Sequence, residues 1–330
     1  MTGNTFNLNA TGLAFTGNST FTTVGTNNIN AGSKITGTLI ANDILDSKIN
    51  AGSATTVVVS DTATVPTVGQ KTKANVVINN DLTSLTNAVE ELTISATKDA
   101  KLTLGAASIV DKLTVEGSKS ITLTGAVTTE EIVNNLTAGT LTVKSTDAGA
   151  IDFSKINANL IQISAAGTAV TVKDNQNLSV TSDAAAALSS LVAKAGLSNV
   201  TTNLSTSKDI TGLDVTKITN LNLEVTKDAT IALKTDAANN VVVKGAGNTT
   251  ITTVALTDVA SIDASALTGT LTYTNLATAT TGIIGSSTAK NKLTLTSTGV
   301  TVTAITGSAN DEVTLNASTG TLNVTTGAGD

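Results

Sequence analysis

The 330-residue sequence has no His, Cys, Trp or Arg, and only one each of Pro, Met and Tyr. Each gap excludes a kind of chemistry. Without His, no side chain titrates near neutrality unless it is perturbed, so a general base would have to be a carboxylate or Lys shifted by burial. Without His or Cys, the usual ligands of zinc, copper, haem and iron–sulfur clusters are missing, which leaves metals that prefer oxygen. The formal charge is −6, all 19 basic residues are Lys, and aromatics make up 2% of the chain. That combination argues against a nucleic-acid partner, which needs a positive field, guanidinium forks and stacking platforms. No apolar run approaches the roughly 18 residues of a membrane-spanning helix. No basic stretch leads into an apolar one at the N-terminus, as an export signal would require. At this length a core can be buried without disulfides, so a Cys-free extracellular protein is physically reasonable.

What is abundant is Thr, at 66 of 330 positions. Charged residues are 13% and hydrophobic ones 40%, the reverse of the low-hydrophobicity, high-charge balance that keeps chains disordered. Short apolar-polar-apolar triplets, usually centred on Thr, recur about every ten residues, and Gly, Asn, Asp or Ser clusters separate them. Their starts are Leu92, Leu102, Leu113, Ile121, Leu141, Leu160, Val170 and Leu178, then Leu221, Ile231, Val241, Ile251, Leu271, Leu293, Val313 and Leu322. Period-2 alternation of β-branched residues predicts about 25 short strands.

Longer phrases repeat as well. LTISATKDAKLTL (Leu92 to Leu104) returns as LNLEVTKDATIAL (Leu221 to Leu233), and VEELTI at Val89 returns as VDKLTV at Val110. A unit of two strands and two turns in about 20 residues is the period of a solenoid rung. The alternative is a set of tandem β-sandwich domains, which normally fill their cores with bulky aromatics that this chain lacks. The expected fold is therefore all-β, a parallel β-solenoid of Thr-rich strands with one short helix near the middle. That helix is predicted over SDAAAALSSLVAKAG (Ser182 to Gly196), where Leu188, Leu191, Val192 and Ala195 fall at helical spacing, Ser182 can cap and Gly196 can terminate. The expected organisation is a β-rich segment at 1–55, a first solenoid region at 56–181, a helical insertion at 182–198 and a second solenoid region at 199–330.

Three motifs could carry chemistry. The apolar-Asp-x-Ser/Thr unit places Asp152, Asp214 and Asp263 two residues before a hydroxyl, a spacing that an Asx-turn explains. The pairs Glu90/Glu91 and Glu130/Glu131 could suggest acid–base chemistry, but adjacent strand residues face opposite ways, so they read as solvated turn charges. GSANDEVTL (Gly307 to Leu315) resembles the calcium-binding nonapeptide of RTX repeats, with departures at Ser308 and Ala309 and Asn310 in place of the last Gly. Oxygen ligands from such turns suit a hard cation. Asp311 is the leading ligand candidate, with Asn310, Gly307 and Asp330 (in the related TGAGD) beside it. The competing reading of these segments is glycine-rich solenoid turns.

The phrases IDASALTGTLTYT (Ile262 to Thr274), VEELTISATKDAKLTL (Val89 to Leu104), ITGSANDEVTL (Ile305 to Leu315) and TTGAGD resemble bacterial surface-layer proteins of the RTX type, with this chain a segment of a larger one. The resemblance implies a secreted structural protein, exported by a type I system, that assembles with calcium into a two-dimensional lattice of its own copies on the outer cell surface. Contact with cell-surface polysaccharide would come through regions outside this chain. No catalytic residue is assigned and no enzymatic role is expected, because a polysaccharide-acting β-helix would need clustered carboxylates and aromatic platforms. The alternative role is an adhesin or extracellular fibre stalk built on a β-solenoid.

Overall fold

The computed structural model describes residues 5–9, 19–30, 37–59, 72–87, 89–105, 111–127, 131–165, 169–180, 188–235, 239–253, 259–274, 280–316 and 319–328. The protein is an all-β parallel solenoid, with thirty described strands and one 3₁₀ turn, Phe153–Lys155. It divides into two compact units, one of residues 1–146 and 155–161, the other of residues 147–154 and 162–330.

The first unit contains two parallel ladders. One runs from Thr5–Asn9 through the second halves of Ser19–Asn30 and Thr38–Asn50, then Lys73–Ile78, Glu91–Ala96, Lys112–Gly117 and Glu131–Leu136. The other runs from the first halves of the same two long strands through Thr56–Val59, Leu82–Asn87, Ala100–Leu104, Ile121–Gly125 and Leu141–Ser145. The long strands serve both ladders because their pairing shifts register between Thr22 and Thr26. Strands before residue 55 thus share ladders with strands after it.

The second unit repeats the plan. Ala150–Asp152, Ala169–Val172, Ser190–Ala193, Ile210–Thr216, Ala229–Thr235, Thr249–Thr253, Leu271–Thr274, Asn291–Leu295 and Glu312–Leu315 form one ladder. Gln176–Val180, Val200–Thr206, Ile218–Val225, Asn239–Gly245, Val259–Leu267, Gly282–Ile284, Thr301–Ile305 and Thr321–Thr325 form the other.

Alternation decides which side chains fill the interior. In Ala100–Leu104 and Ile121–Gly125 every second residue is buried, as a period-2 strand with one dry face requires. Parallel register then stacks like on like. Ile29, Ile49, Val76, Ile94 and Val115 form one interior column, each at most 2% exposed. Leu178, Leu204, Leu223 and Val243 form another. Burying each such side chain contributes about 1.5–3 kcal/mol, and the close stacking leaves little need for aromatics. Phe153 and Tyr273 are exceptions, both fully buried; Tyr273 lies between Ile251 and Leu293, with its hydroxyl 3.3 Å from the Thr280 hydroxyl. Desolvation there pushes the phenol up to about 12, partly offset by that contact.

The outward positions carry the register. Asn222 Nδ2 donates to Asn203 Oδ1, and Asn203 Nδ2 to Asn177 Oδ1, each at 2.8 Å. Lys73 pairs with Glu91 at 3.1 Å and Lys244 with Glu224 at 3.5 Å, in each case directly across the ladder. Such exposed pairs are worth about 0.2–1 kcal/mol each, yet a slip by one residue would bring like faces out of match. Glu91 is therefore a ladder residue, not a turn charge. Thr252, Thr274, Thr294 and Thr314 fall in one outward column, because turns of differing length absorb their uneven spacing in sequence.

The helix expected over Ser182 to Gly196 needs correction. Ser190–Ala193 is a strand, paired with Ala169–Val172 on one side and Ile210–Thr216 on the other. Leu191 and Ala193 are buried in the columns of Val170 and Val172. Two ladders of backbone hydrogen bonds and a waiting interior column outweigh the helical preference of a few Ala and Leu residues. Gly196 lies at φ +87°, in the turn that follows the strand. Residues 182–187 of the expected helix lie outside the described residues.

Candidate functional site

The RTX-like segment runs from the turn after the strand Thr301–Ile305 through the strand Glu312–Leu315. Gly307 sits where turns of successive rungs touch, and a Cβ on it would run into the Ser286 carbonyl. Asn310 is exposed on the turn and Asp311 is half-buried at the strand's entrance. Asp330 lies outside the described residues.

Asp311 Oδ1 accepts two hydrogen bonds from the rung below, from the Asn291 backbone N–H at 2.7 Å and from Asn291 Nδ2 at 2.9 Å. Its Oδ2 is solvent-inaccessible and has no hydrogen-bond donor. Asn291 is fully buried. Its Oδ1 accepts the Ser286 N–H at 2.7 Å, and its Nδ2 also donates to the Ser286 carbonyl at 2.9 Å. The Ser286 hydroxyl donates to the Leu267 carbonyl at 2.6 Å and accepts the Ala289 N–H at 3.0 Å. A polar line thus crosses three rungs, from Leu267 through Ser286 and Asn291 to Asp311. The sequence pointed to Asp311 but missed Asn291 and Ser286. The signal for Asn291 was its inward parity in NKLTL, where the rung below places Leu271.

Asp311 belongs to a wider device in which a turn carboxylate accepts a backbone N–H of an adjacent rung. Asp99 takes the Ser120 N–H, Asp228 the Asn248 N–H, Asp174 the Thr201 N–H and Asp81 the Lys101 N–H, all at 2.8 Å. Asp99 and Asp228 are the aspartates of the two TKDA phrases, so that repeat is a rung-to-rung clamp. Asn248 extends the clamp upward, its Oδ1 accepting the Thr270 N–H at 2.9 Å. The Asn248 backbone N–H, then its side chain, hold the Asp228 carboxyl below its usual value of 3.8 against a small opposing effect of burial. A carboxyl whose pKa is lowered on folding stabilises the fold fully above the unfolded value, and that contribution is lost as pH falls through the folded one. Acid titration of unfolding should accordingly show the wild type losing stability below about pH 4 more steeply than Asp228→Asn. Identical slopes for the two proteins would dismiss the clamp as a contributor.

The other motifs resolve locally. Asp152 Oδ1 accepts the Ser154 N–H and Asp263 Oδ1 the Ser265 N–H, both at 2.9 Å, which are the expected Asx-turns. Asp214 departs from the pattern, since its Oδ1 accepts the Thr216 hydroxyl at 3.4 Å. Glu90 exchanges two hydrogen bonds with Thr72: its carboxylate accepts the Thr72 backbone N–H, and its own backbone N–H donates to the Thr72 hydroxyl, both at 3.1 Å. A shallow groove on the second unit is lined by Asp152, Thr171, Ser190 and Val192, and its one carboxylate is the one engaged by Ser154.

Among the described residues no group of three or more carboxylates gathers as a metal cluster, and no helix is long and apolar enough to cross a membrane. Comparison with protein families, with curated proteins and with solved structures finds no match to the chain.

Proposed function

We propose that the protein is a structural, non-catalytic subunit of a secreted bacterial surface layer, exported by a type I route and assembling with copies of itself on the outer face of the cell. One observation carries the reading: among the described residues, many carboxylates and side-chain amides hold rung to rung. Asp99, Asp174 and Asp228 clamp turns, Asn177, Asn203 and Asn222 form a ladder, and Glu91 and Glu224 pair with Lys in register. Such a molecule is a repetitive, weakly charged scaffold, which suits a tiled coat. The RTX-like phrases supply the resemblance to surface-layer proteins.

Calcium enters the proposal through Asp311. Its donor-free Oδ2 is the kind of oxygen a hard cation takes, but a calcium shell needs about six to eight oxygens. Gly307, Asn310 and Asp330 would have to contribute others. Added calcium should raise the melting temperature of the wild type. Asp311→Ala, already less stable because Asn291 loses its partner, should melt at the same temperature with and without calcium. An unchanged wild-type melting temperature would remove calcium from the proposal. Electron microscopy with calcium should show ordered sheets; discrete, unassembled particles under all conditions would overturn the lattice and leave the fibre-stalk role.

A further inference from the structure

We infer that the outward face of Lys73–Ile78, Glu91–Ala96, Lys112–Gly117 and Glu131–Leu136, in the first unit, is a docking surface for a second copy of the chain, which meets it face to face with its rungs in reverse order. Charge carries the argument. Parallel register places Lys73, Glu91, Lys112 and Glu131 in one outward column, so the sign of the charge alternates at every rung, about 4.8 Å apart. Lys73 already pairs with Glu91 at 3.1 Å, and their side chains remain 53% and 31% exposed. Lys112 and Glu131 stand directly opposite each other, yet among the described residues neither makes an ion pair. One half of the column is joined and the other half is open.

A series that reads plus, minus, plus, minus becomes minus, plus, minus, plus when it is reversed. A twofold axis parallel to the strands, passing between Glu91 and Lys112, reverses the rungs and keeps each column over its own counterpart. Lys73 then faces the second copy's Glu131, and Glu91 faces its Lys112. The contact is isologous, so each of these pairs occurs twice. The open charges of each copy are met by the joined charges of the other, and the column becomes one network. Sliding the copies by a single rung would set Lys on Lys and Glu on Glu, so the same pattern that attracts also fixes the alignment.

The rest of the face suits close approach. The neighbouring outward column is Asn75, Thr93, Thr114 and Val133, all uncharged and half-buried. Under the same axis Thr93 meets the second copy's Thr114, and Asn75 meets its Val133. Glu116 is the one other charge at an outward position of these four strands, and it meets the second copy's Ser95, not a carboxylate. A contact of this extent belongs to the weak class, and exposed ion pairs add little each. The pairing therefore depends on low salt and crowded copies. It deepens the surface-layer proposal and rests on it, since a coat supplies the crowding.

In concentrated, calcium-free, low-salt solution the wild type should sediment as a reversible dimer, and it should dissociate when salt is raised to about 1 M, where the Debye length is about 3 Å. Glu91→Lys and Lys112→Glu should each keep the wild-type circular dichroism spectrum and dimerise at least about tenfold more weakly, because each sets like charges together twice. An equimolar mixture of the two should recover the dimer, since the reversed charge of one meets the reversed charge of the other. Mixing cannot restore a pairing that acts only within one chain. Lys73→Glu mixed with Glu131→Lys should recover the dimer in the same way, which keeps the test open if one of the first two variants fails to fold. A wild type that stays monomeric in low salt, a dimer that survives about 1 M salt, or mixtures no more dimeric than their components would overturn the inference. Calcium-dependent sheets from a protein that stays monomeric without calcium would overturn it while leaving the surface-layer proposal standing. A salt-sensitive dimer, restored by mixing but never forming sheets, would do the opposite.

Discussion

Replacing Asn291 with Ala should destabilise the protein by about 3–5 kcal/mol, more than truncating most of the buried aliphatic residues, because several buried polar groups would lose their partner together. Asn291 Oδ1 holds the Ser286 N–H, its Nδ2 holds the Ser286 carbonyl, and the same nitrogen holds Asp311 Oδ1. The two Ser286 groups cannot turn to water, since Asn291 and Ser286 are 0% exposed. Asp311 would keep only the Asn291 backbone N–H, with Oδ2 already lacking a donor. Asn291→Asp tests the same point from the other side, as it would set a second carboxylate against Asp311 without changing volume. Denaturant unfolding should rank the wild type first, with both variants well below it. Asn291→Leu matching the wild type would mean that the network contributes nothing beyond the space it fills.

Much of the fold was legible from spacing alone. The triplets starting at Leu92, Leu102, Leu113, Ile121 and Leu141 each begin on a buried residue within a described strand, because a parallel solenoid writes its interior directly into period-2 alternation. At Leu160 the reading was one residue out: Ile161 and Ile163 point inward, and in LIQI two adjacent apolar residues left the parity ambiguous. The region around Ser190–Ala193 misled for a related reason. SLVA fits a strand and a helix equally well, and its neighbours Val170 and Val215, 20 or more positions away in sequence, made the choice. The repeated TKDA phrase was visible, but its role was not. The donors for Asp99 and Asp228 are backbone groups one rung on, at Ser120 and Asn248, and backbone donors leave no mark on residue identity. Asn291 was hidden in the same way, since its importance depends on Asp311 arriving from the next rung.

Gly247→Ala should cost roughly 3 kcal/mol or more, a large penalty for one methyl group, and its cause is contact, not conformation. Gly247 has no unusual φ, but a Cβ built there would run into the Lys227 carbonyl, and one built on Gly269 would run into the carbonyl of Gly247. Turns of consecutive rungs lie so close that backbone rests on backbone, and the rungs cannot part without breaking the ladder bonds on either side. Gly196 is the contrasting case. Its φ of +87° is strained for an L-residue, but nothing lies within 4 Å of the added Cβ. Gly196→Ala should therefore cost only about 1–2 kcal/mol, and Gly196→Asn less, since Asn tolerates the left-handed region. Gly247→Asn should recover nothing, because a larger side chain meets the same carbonyl. If Asn rescued both positions, Gly247 would be there for backbone conformation and the turn-on-turn stacking would be incidental. If it rescues only Gly196, Gly247 is explained by the packing of successive rungs, with no ion required to account for it.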